Sequence, residues 1–363
     1  MTGCHLRYRP HAASEAQKLA RLAILCVDLR LDPVIEAIAA RLDAAVKRRH
    51  GSAARIANVQ VATLGASNRT LLFDLVEPGG TQQLVLRQET YRAPTSPFLP
   101  PAEQYRILQA VHRHGLPVPE PVFELEPADD LERGFVMTRI AGETLPKTLL
   151  TDPAYAQARA RFATQTGEIF ARLHAIPVDE LPFLTASADS RDQLAAQVTR
   201  YDSYGGGHPA LDVGIRWLER HRPPPEPARL VHGDYRIGNL ILDPTGIVGV
   251  LDWECAHLGS GMADFGWVCL RSWRYGNIDR PVGGMGPRSE LQAAYTANGG
   301  RSVSAEEILW WEVFSAFKWA VINMMQADGH LRGERRSLPF ACCGRNASMI
   351  EYDLLMTILG HYR

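Results

Sequence analysis

The residues best suited to chemistry lie in one stretch, His232-Gly233-Asp234-Tyr235-Arg236-Ile237-Gly238-Asn239, with Leu251-Asp252-Trp253 shortly after it. Two acids and an amide sit between apolar, β-like runs: Leu230 to His232, Leu240-Ile241-Leu242 and Val248 to Leu251. A hairpin built from such runs buries its flanks and brings Asp234, Asn239 and Asp252 toward one end. Carboxylate and amide oxygens are hard ligands, suited to Mg²⁺, an ion that usually takes one or two carboxylates together with substrate phosphates. The chemistry this suggests is phosphoryl transfer, which asks a protein mainly for positioning and charge neutralisation.

Protein kinases carry the pattern H-R-D-x-x-x-x-N followed by D-F-G. Here the Asp-to-Asn spacing is the same, His232-Gly233-Asp234 replaces H-R-D, and Asp252-Trp253 stands where D-F would stand. On these residues the chain resembles the aminoglycoside phosphotransferase family. It is similar in particular to the branch related to the kinase-like domain fused to some acyl-CoA dehydrogenases. The lines 232–242 and 250–267 carry most of the resemblance, and weaker similarity covers roughly 55–325. The resemblance implies an ATP- and Mg²⁺-dependent kinase in which Asp234 orients the acceptor hydroxyl and takes its proton, while Asn239 and Asp252 hold the metal across the nucleotide phosphates. It also implies that Asp264 braces the catalytic loop. His232 is expected to be structural, bonding backbone around that loop, and Glu254 to be solvated or salt-bridged rather than near the metal.

The resemblance places ATP in the N-terminal part. Leu64-Gly65-Ala66-Ser67-Asn68-Arg69-Thr70 matches the family's G-x-S-N-x-T turn, whose small residues at Ser67 and Asn68 let backbone N–H groups approach phosphates. Without the family it is only a tight turn. The family's phosphate-clamping lysine is missing, since no lysine occurs between Lys47 and Lys147. Arg87 occupies the matching position, and its planar fork also suits phosphate oxygens. Glu103 is expected to pair with it, and Met137, Thr138 and Ile140 to form the hinge that meets adenine. A second departure is Gly259-Ser260-Gly261, where relatives often read G-D-P, so Asp264 must order the loop without that acid.

The elements that must position these residues are legible from period and punctuation. Residues 14–49 read as helical: Ser14 with Gln17 resembles a capping box, and Asp32-Pro33 opens a second helix with a stripe of Val34, Ile38, Leu42 and Val46. Short β-rich runs follow at 59–61, 70–76, 84–87 and 134–140, separated by turns such as Glu77-Pro78-Gly79-Gly80. One helix over 101–114, stopped by Gly115 and Pro117, interrupts them. After Gly142 the chain turns mainly helical, with helices over about 153–175, 189–200, 209–221, 287–298, 304–326 and 346–361. The fold class is α+β: a two-lobed, protein-kinase-like fold with a small β-rich N-lobe and a large helical C-lobe. The expected divisions are 1–50, an N-terminal helical extension; 51–141, the nucleotide-binding N-lobe; and 142–363, the C-lobe with catalytic loop and acceptor site.

The whole sequence sets the remaining limits. Its 363 residues suit two packed lobes around a cleft. A composition of 46% hydrophobic and 22% charged residues is that of a globular chain. A net charge of −1 argues against a nucleic-acid or membrane partner. Six cysteines without C-x-x-C spacing read as reduced thiols. No signal peptide is visible, so a cytoplasmic protein is expected, with a small-molecule hydroxyl acceptor as partner and a homodimer left open. Acids and bases balance at 40 against 39, and arginines and aromatics interleave over 265–340. That balance suits a neutral or anionic acceptor better than a polycation, and together with the resemblance to the dehydrogenase-linked branch it favours a hydroxyacyl-CoA such as a 4-hydroxyacyl-CoA. Aminoglycoside, macrolide, choline or sugar acceptors are the alternatives within the same chemistry. A non-catalytic pseudokinase and a metal-dependent hydrolase are the other classes. The first is disfavoured by the presence of Asp234, Asn239 and Asp252, the second by the absence of G-x-S-x-G and H-E-x-x-H.

Overall fold

The computed structural model describes residues 33–62, 68–90, 96–185, 187–334 and 336–362. The helix expected over 14–32 and Ser67 of the glycine-rich turn lie outside the described residues. Pro33, its φ preset for a helix, opens helix α1, Pro33–His50. Its buried stripe is Ile35, Ile38, Leu42 and Val46, while Val34 is 53% exposed. The expected stripe began one residue early. Spacings of four drift about 40° per step around a helix of 3.6 residues per turn, whereas three-four-four stays on one face.

Strands β1 (Arg55–Ala62), β2 (Asn68–Glu77), β3 (Gly80–Glu89), β4 (Pro121–Glu124) and β5 (Gly134–Thr138) form one antiparallel sheet in the order β1-β2-β3-β5-β4. The Pro78-Gly79 turn sets the β2–β3 register, Glu77 facing Gly80. Period-two burial in β2 (Leu71, Phe73, Leu75) and β3 (Leu84, Leu86) turns one face toward α1, and these residues share a core with Leu42 and Val46. The helix expected to pack onto the following lobe does so.

An ion pair fixes α1 to the β4–β5 connection. Arg49 reaches both oxygens of the buried Asp129 at 2.7 and 2.8 Å, and Arg48 pairs with the same carboxylate. Burial raises the Asp129 pKa, but the arginines and the Glu126 N–H outweigh it and bring it to about 2. Because the folded value lies below the ordinary 3.8, the pair stabilises the fold above about pH 4 and loses that contribution as the pH falls toward 2. The shift corresponds to about 2 kcal/mol. Asp129→Asn is therefore expected to lower the unfolding free energy by about 2 kcal/mol at pH 7 and by roughly half as much at pH 3. Denaturant titrations of both proteins at the two pH values check this, and equal losses at both would show that the pair is not the source.

Helix α2 (Pro101–Arg113) crosses between the sheet and the rest of the chain. Its Ile107, Leu108 and Val111 join a core continuous with the helical lobe, as do Leu116 and Val118 of the following loop. The helical lobe contains α3 (Pro146–Thr151), α4 (Ala156–His174), α5 (Ala188–Arg191), α6 (Gln193–Ser203) and α7 (Pro209–Arg220). Four short strands follow: β6 (Arg229–Val231), β7 (Leu240–Asp243), β8 (Gly246–Val250) and β9 (His257–Gly259). They pair as β7–β8 and β6–β9, both antiparallel. Then come α8 (Met262–Val268), α9 (Arg288–Ala297), α10 (Ala305–Leu331) and α11 (Leu338–Ile358). The last helix starts at Leu338 rather than 346, with Pro339 in its first turn. Among the described residues no helix is long and apolar enough to cross a membrane.

The lobes join at the connector after β5. Glu143 and Leu242 exchange both backbone hydrogen bonds, at 2.8 and 3.0 Å, so the connector extends the catalytic hairpin. A Cβ on Gly142 would lie 2.5 Å from Ile241 Cγ2 and 2.7 Å from the Leu242 carbonyl oxygen, so only glycine fits there.

Candidate active site

Strand β6 ends in the catalytic loop, which turns through Gly233 at φ 80°. A Cβ there would meet the Cys255 carbonyl oxygen at 2.3 Å, so the loop is pressed directly against the chain that follows Asp252. Asp264, fully buried in the first turn of α8, accepts from the N–H of His232 and of Gly233, both at 2.9 Å. Burial raises the Asp264 pKa, but His174, His232 and these N–H donors outweigh it and hold it below the ordinary carboxylate value. This is the brace expected of Asp264. Ser260, standing where relatives often carry the acid, hydrogen-bonds Glu226 from a distant loop.

His232 bonds backbone on both sides of its ring. Nε2–H donates to the Leu251 carbonyl at 2.9 Å, which leaves Nδ1 to accept the Asp234 N–H at 3.2 Å. It therefore ties the catalytic loop to the strand end that carries Asp252, as the sequence suggested. The link is reinforced where Leu251 N–H donates to the Asn239 carbonyl at 2.8 Å.

Asp234 is held by three donors. Oδ1 accepts from Arg236 Nε at 3.1 Å and from the Trp267 indole N–H at 2.9 Å, and Oδ2 accepts from Asn239 Nδ2 at 2.6 Å. A carboxylate has about four lone-pair positions. One remains, on Oδ2. Asn239 also donates to the Asp234 carbonyl at 2.9 Å. Its nitrogen is thus committed to the loop, and Oδ1 is the open end of the amide.

Asp252 adopts the left-handed conformation, φ 67° and ψ 69°, which aspartate tolerates better than most residues and which recurs at functional sites. From β3, Arg87 Nη2 reaches Asp252 at 2.6 Å and Glu254 at 3.0 Å. Asn68 Nδ2 reaches the same Glu254 oxygen at 3.1 Å. Arg87 does not pair with Glu103 among the described residues. Glu103 lies in the first turn of α2, and two carboxylates from the other lobe already share Arg87 Nη2. Burial opposes the Arg87 charge, but Asp252 and Glu254 raise its pKa nevertheless. Glu254 is pushed up to about 7 by burial, with Asp252 and Asp234 adding to the effect and Arg87 opposing it.

These features bear on a metal and a nucleotide. Three acids converge on one cleft with Arg87 and Arg236 as nearby cations, so the site has room for added positive charge. Among the described residues no cluster of three or more His, Cys, Asp or Glu is arranged to hold a metal. The donor set is instead Asp252 and the open Asn239 oxygen, a pair suited to a cation that takes its other ligands from phosphates and water. Arg87 Nε is buried without a hydrogen-bond partner. Such an orphan donor beside carboxylates fits a phosphate oxygen.

The hinge residues differ among themselves. Met137 pairs with Val85, and the Thr138 N–H is committed to the Glu120 carbonyl at 2.9 Å. The Arg139 N–H donates to Gln83 at 2.9 Å. Ile140 lies past the last of these bonds, against the catalytic hairpin near Gly249. It is therefore the hinge residue best placed to offer backbone to a base.

Sequence reading missed the partners of Asp234. Trp267 comes from 33 residues away and carried no local sign beyond being aromatic. Five of the arginines of 265–340 meet acids. Arg274 and Arg288 pair with the buried Glu312, Arg301 with Glu226 and Glu307, Arg271 with Asp353, and Arg332 with Asp328. They are structural ion pairs. Trp310 and Trp311 are core residues. Four cysteines are free among the described residues, Cys255, Cys269, Cys342 and Cys343, and Cys342 is exposed.

Two lobes joined by a short connector, with the catalytic loop beside Asp252 and Glu254, which meet the N-lobe strands β2 and β3, define a kinase-like small-molecule phosphotransferase. The chain belongs to the phosphotransferase enzyme family (APH), whose model matches residues 58–303 and so spans both sides of the cleft. It is 29% identical over 221 residues to acyl-CoA dehydrogenase family member 10 of Mus musculus, a match covering 57% of this chain and 20% of that protein. The chain spans about a fifth to two-fifths of the length of the acyl-CoA dehydrogenase relatives it matches. Among solved structures, a Ralstonia eutropha protein provisionally named an aminoglycoside phosphotransferase superposes with a TM-score of 0.66 at 24% identity, covering 88% of this chain and 97% of that one. Aminoglycoside phosphotransferase APH(4)-Ia, in a ternary complex with AMP-PNP and hygromycin B, superposes at 0.52 with 16% identity, covering 87% and 97%.

Proposed function

We propose that the protein transfers the γ-phosphoryl group of ATP, with Mg²⁺, to a hydroxyl of a small acyl compound, a hydroxyacyl-CoA such as a 4-hydroxyacyl-CoA. The observation that carries the chemistry is the open lone pair on Asp234 Oδ2, beside a carboxylate, an amide oxygen and an orphan guanidinium donor. The acceptor O–H donates to Oδ2 and passes its proton there as its oxygen forms a bond to the γ-phosphorus. The bond from that phosphorus to the bridging oxygen breaks, and its electrons leave with ADP. Mg²⁺, when held by Asp252 and Asn239, neutralises phosphate charge. Arg87 Nε and Asn68 face the phosphates from the N-lobe, and the backbone after Thr138 receives the base. The AMP-PNP bound to the structural relative supports the nucleotide.

The acceptor class rests on the cleft beside Asp234. Its apolar wall includes Phe98, Val321, Ile322 and Met325. Its acid, Asp189, is already paired with Arg200 at 3.0 Å through both oxygens. Among the described lining residues no unpaired acid is left for a polycation, and the likeness to the acyl-CoA dehydrogenase relatives points the same way.

ATP consumption across a panel of acceptors, with mass spectrometry of the products, tests the reading. Hydroxyacyl-CoAs are expected to stimulate Mg²⁺-dependent turnover above the water background and to emerge phosphorylated. Phosphorylation of hygromycin B or choline with no reaction on hydroxyacyl-CoAs would overturn the acceptor. No turnover with any acceptor would overturn the chemistry.

A further inference from the structure

Lys318, near the middle of α10, places its ammonium in the cleft beside the catalytic loop. Nζ donates to the Gly233 carbonyl at 3.0 Å and lies 4.9 Å from the centre of the Trp267 ring, whose indole N–H holds Asp234. No carboxylate lies within ion-pair distance of it among the described residues. The cleft's own acid, Asp189, is taken by Arg200 and by Gln197 at 3.3 Å. A half-buried cation without a counterion is costly, and an ammonium has three donors, of which Gly233 uses one.

The surroundings say what the others face. Val321, Ile322 and Met325 follow Lys318 at i+3, i+4 and i+7, one stripe of the helix, and they line the same cleft as Phe98 and Tyr204. The cation therefore sits at the Asp234 end of an apolar strip that runs about 10 Å along the helix. An acceptor matching this wall carries an oxygen acceptor close to its reacting hydroxyl and an aliphatic chain beyond.

We propose that Lys318 is a specificity-determining residue of this site, binding the carbonyl or carboxylate oxygen of a hydroxyacyl acceptor while the chain lies on Val321, Ile322 and Met325. This rests on the reading of the cleft as the acceptor site, and it adds the residue and the acceptor atom that set selectivity.

The test compares three acceptors of equal chain length: a hydroxyacyl-CoA, the free hydroxy acid, and the corresponding alcohol without a carbonyl. The quantity read is the ratio of kcat/KM for each oxygen-bearing acceptor to that for the alcohol. In the wild-type protein it is expected to be about 10 to 100, the worth of a charged hydrogen bond. The acyl-CoA and hydroxy-acid arms show which oxygen is used. K318M, which keeps the stem on Trp267, is expected to bring the ratio near one, and K318R to retain most of it. K318Q gives the same reading should K318M fold poorly. Equal losses on all three acceptors, with the ratio unchanged, would show that Lys318 merely supports Gly233 and would overturn the inference. A wild-type ratio near one would overturn it while leaving the phosphotransferase reading intact. Turnover of hygromycin B with none on the three acceptors would remove the acceptor reading itself.

Discussion

Asp234→Ala is expected to lower kcat by about 10²- to 10⁴-fold, the usual worth of a positioned general base, while leaving the affinity for Mg²⁺–AMP-PNP within a few-fold of wild type. The loop should survive the change. Arg236 keeps its contact with the Ile237 carbonyl at 3.2 Å and lies over the Trp273 ring at 4.8 Å. Asn239 keeps the backbone carbonyl of residue 234 at 2.9 Å, and Asp264 still accepts from His232 and Gly233. Alanine is the better probe than asparagine, because an amide would turn its own donors toward Trp267, Arg236 or Asn239. Steady-state kinetics together with calorimetric titration of the nucleotide separate the two effects. Wild-type turnover in this variant would remove Asp234 from the chemistry. Lost nucleotide binding would place it instead among the metal-binding groups.

Asp252→Asn is expected to fail earlier, at nucleotide binding. It removes the one full charge in the proposed metal pair, and kcat/KM should fall by about 10³-fold, as for the loss of a principal electrostatic contact to the reacting group. Asparagine is chosen because it tolerates the left-handed backbone at this position, which alanine does not. The diagnostic reading is nucleotide affinity titrated against Mg²⁺. The wild-type affinity should rise with the metal, and that of the variant should barely respond. Arg87 would remain tied to Glu254, so the cleft should keep its form. An unaltered metal response would sink the assignment of Asp252 as a ligand.

The contrast between these variants reflects how the site is built. One carboxylate, proposed to serve the acceptor, is fixed by donors from its own loop and from α8. The other, proposed to serve the nucleotide, is met by Arg87 from the opposite lobe. Glu254 links the lobes a second time through Arg87 and Asn68. The partner of Arg87 in this chain is therefore the segment after β8 rather than helix α2.

What was legible from the sequence was local. The spacing of Asp234, Asn239 and Asp252 determined their convergence. A tight loop between β6 and β7, and a two-stranded hairpin after it, leave few ways to arrange ten or twenty residues, and each backbone bond that closes them is short-range. The same holds for the β2–β3 turn at Pro78-Gly79, whereas the brace by Asp264, which bonds His232 and Gly233 from about thirty residues away, was implied by the family resemblance and not by local spacing. The α1 stripe was legible to within a residue, the error being one of helical phase.

What the sequence could not settle was the choice among equivalent charges. Glu103 and Glu254 are both glutamates within reach of a plausible kinase-like layout, and only the packing of α2 onto the helical lobe leaves Arg87 to Glu254, 167 residues away. The arginines of 265–340 interleave with aromatics along the sequence, yet Arg271, Arg274, Arg288, Arg301 and Arg332 meet acids once the helices are stacked, with Glu312 taking two of them. Nothing local paired Lys318 with the Gly233 carbonyl or Trp267 with Asp234. Composition counts charges, and helix packing decides which of them meet. Coulomb attraction between side chains far apart in sequence is nearly indifferent to order along the chain and depends on distances that only the assembled core creates.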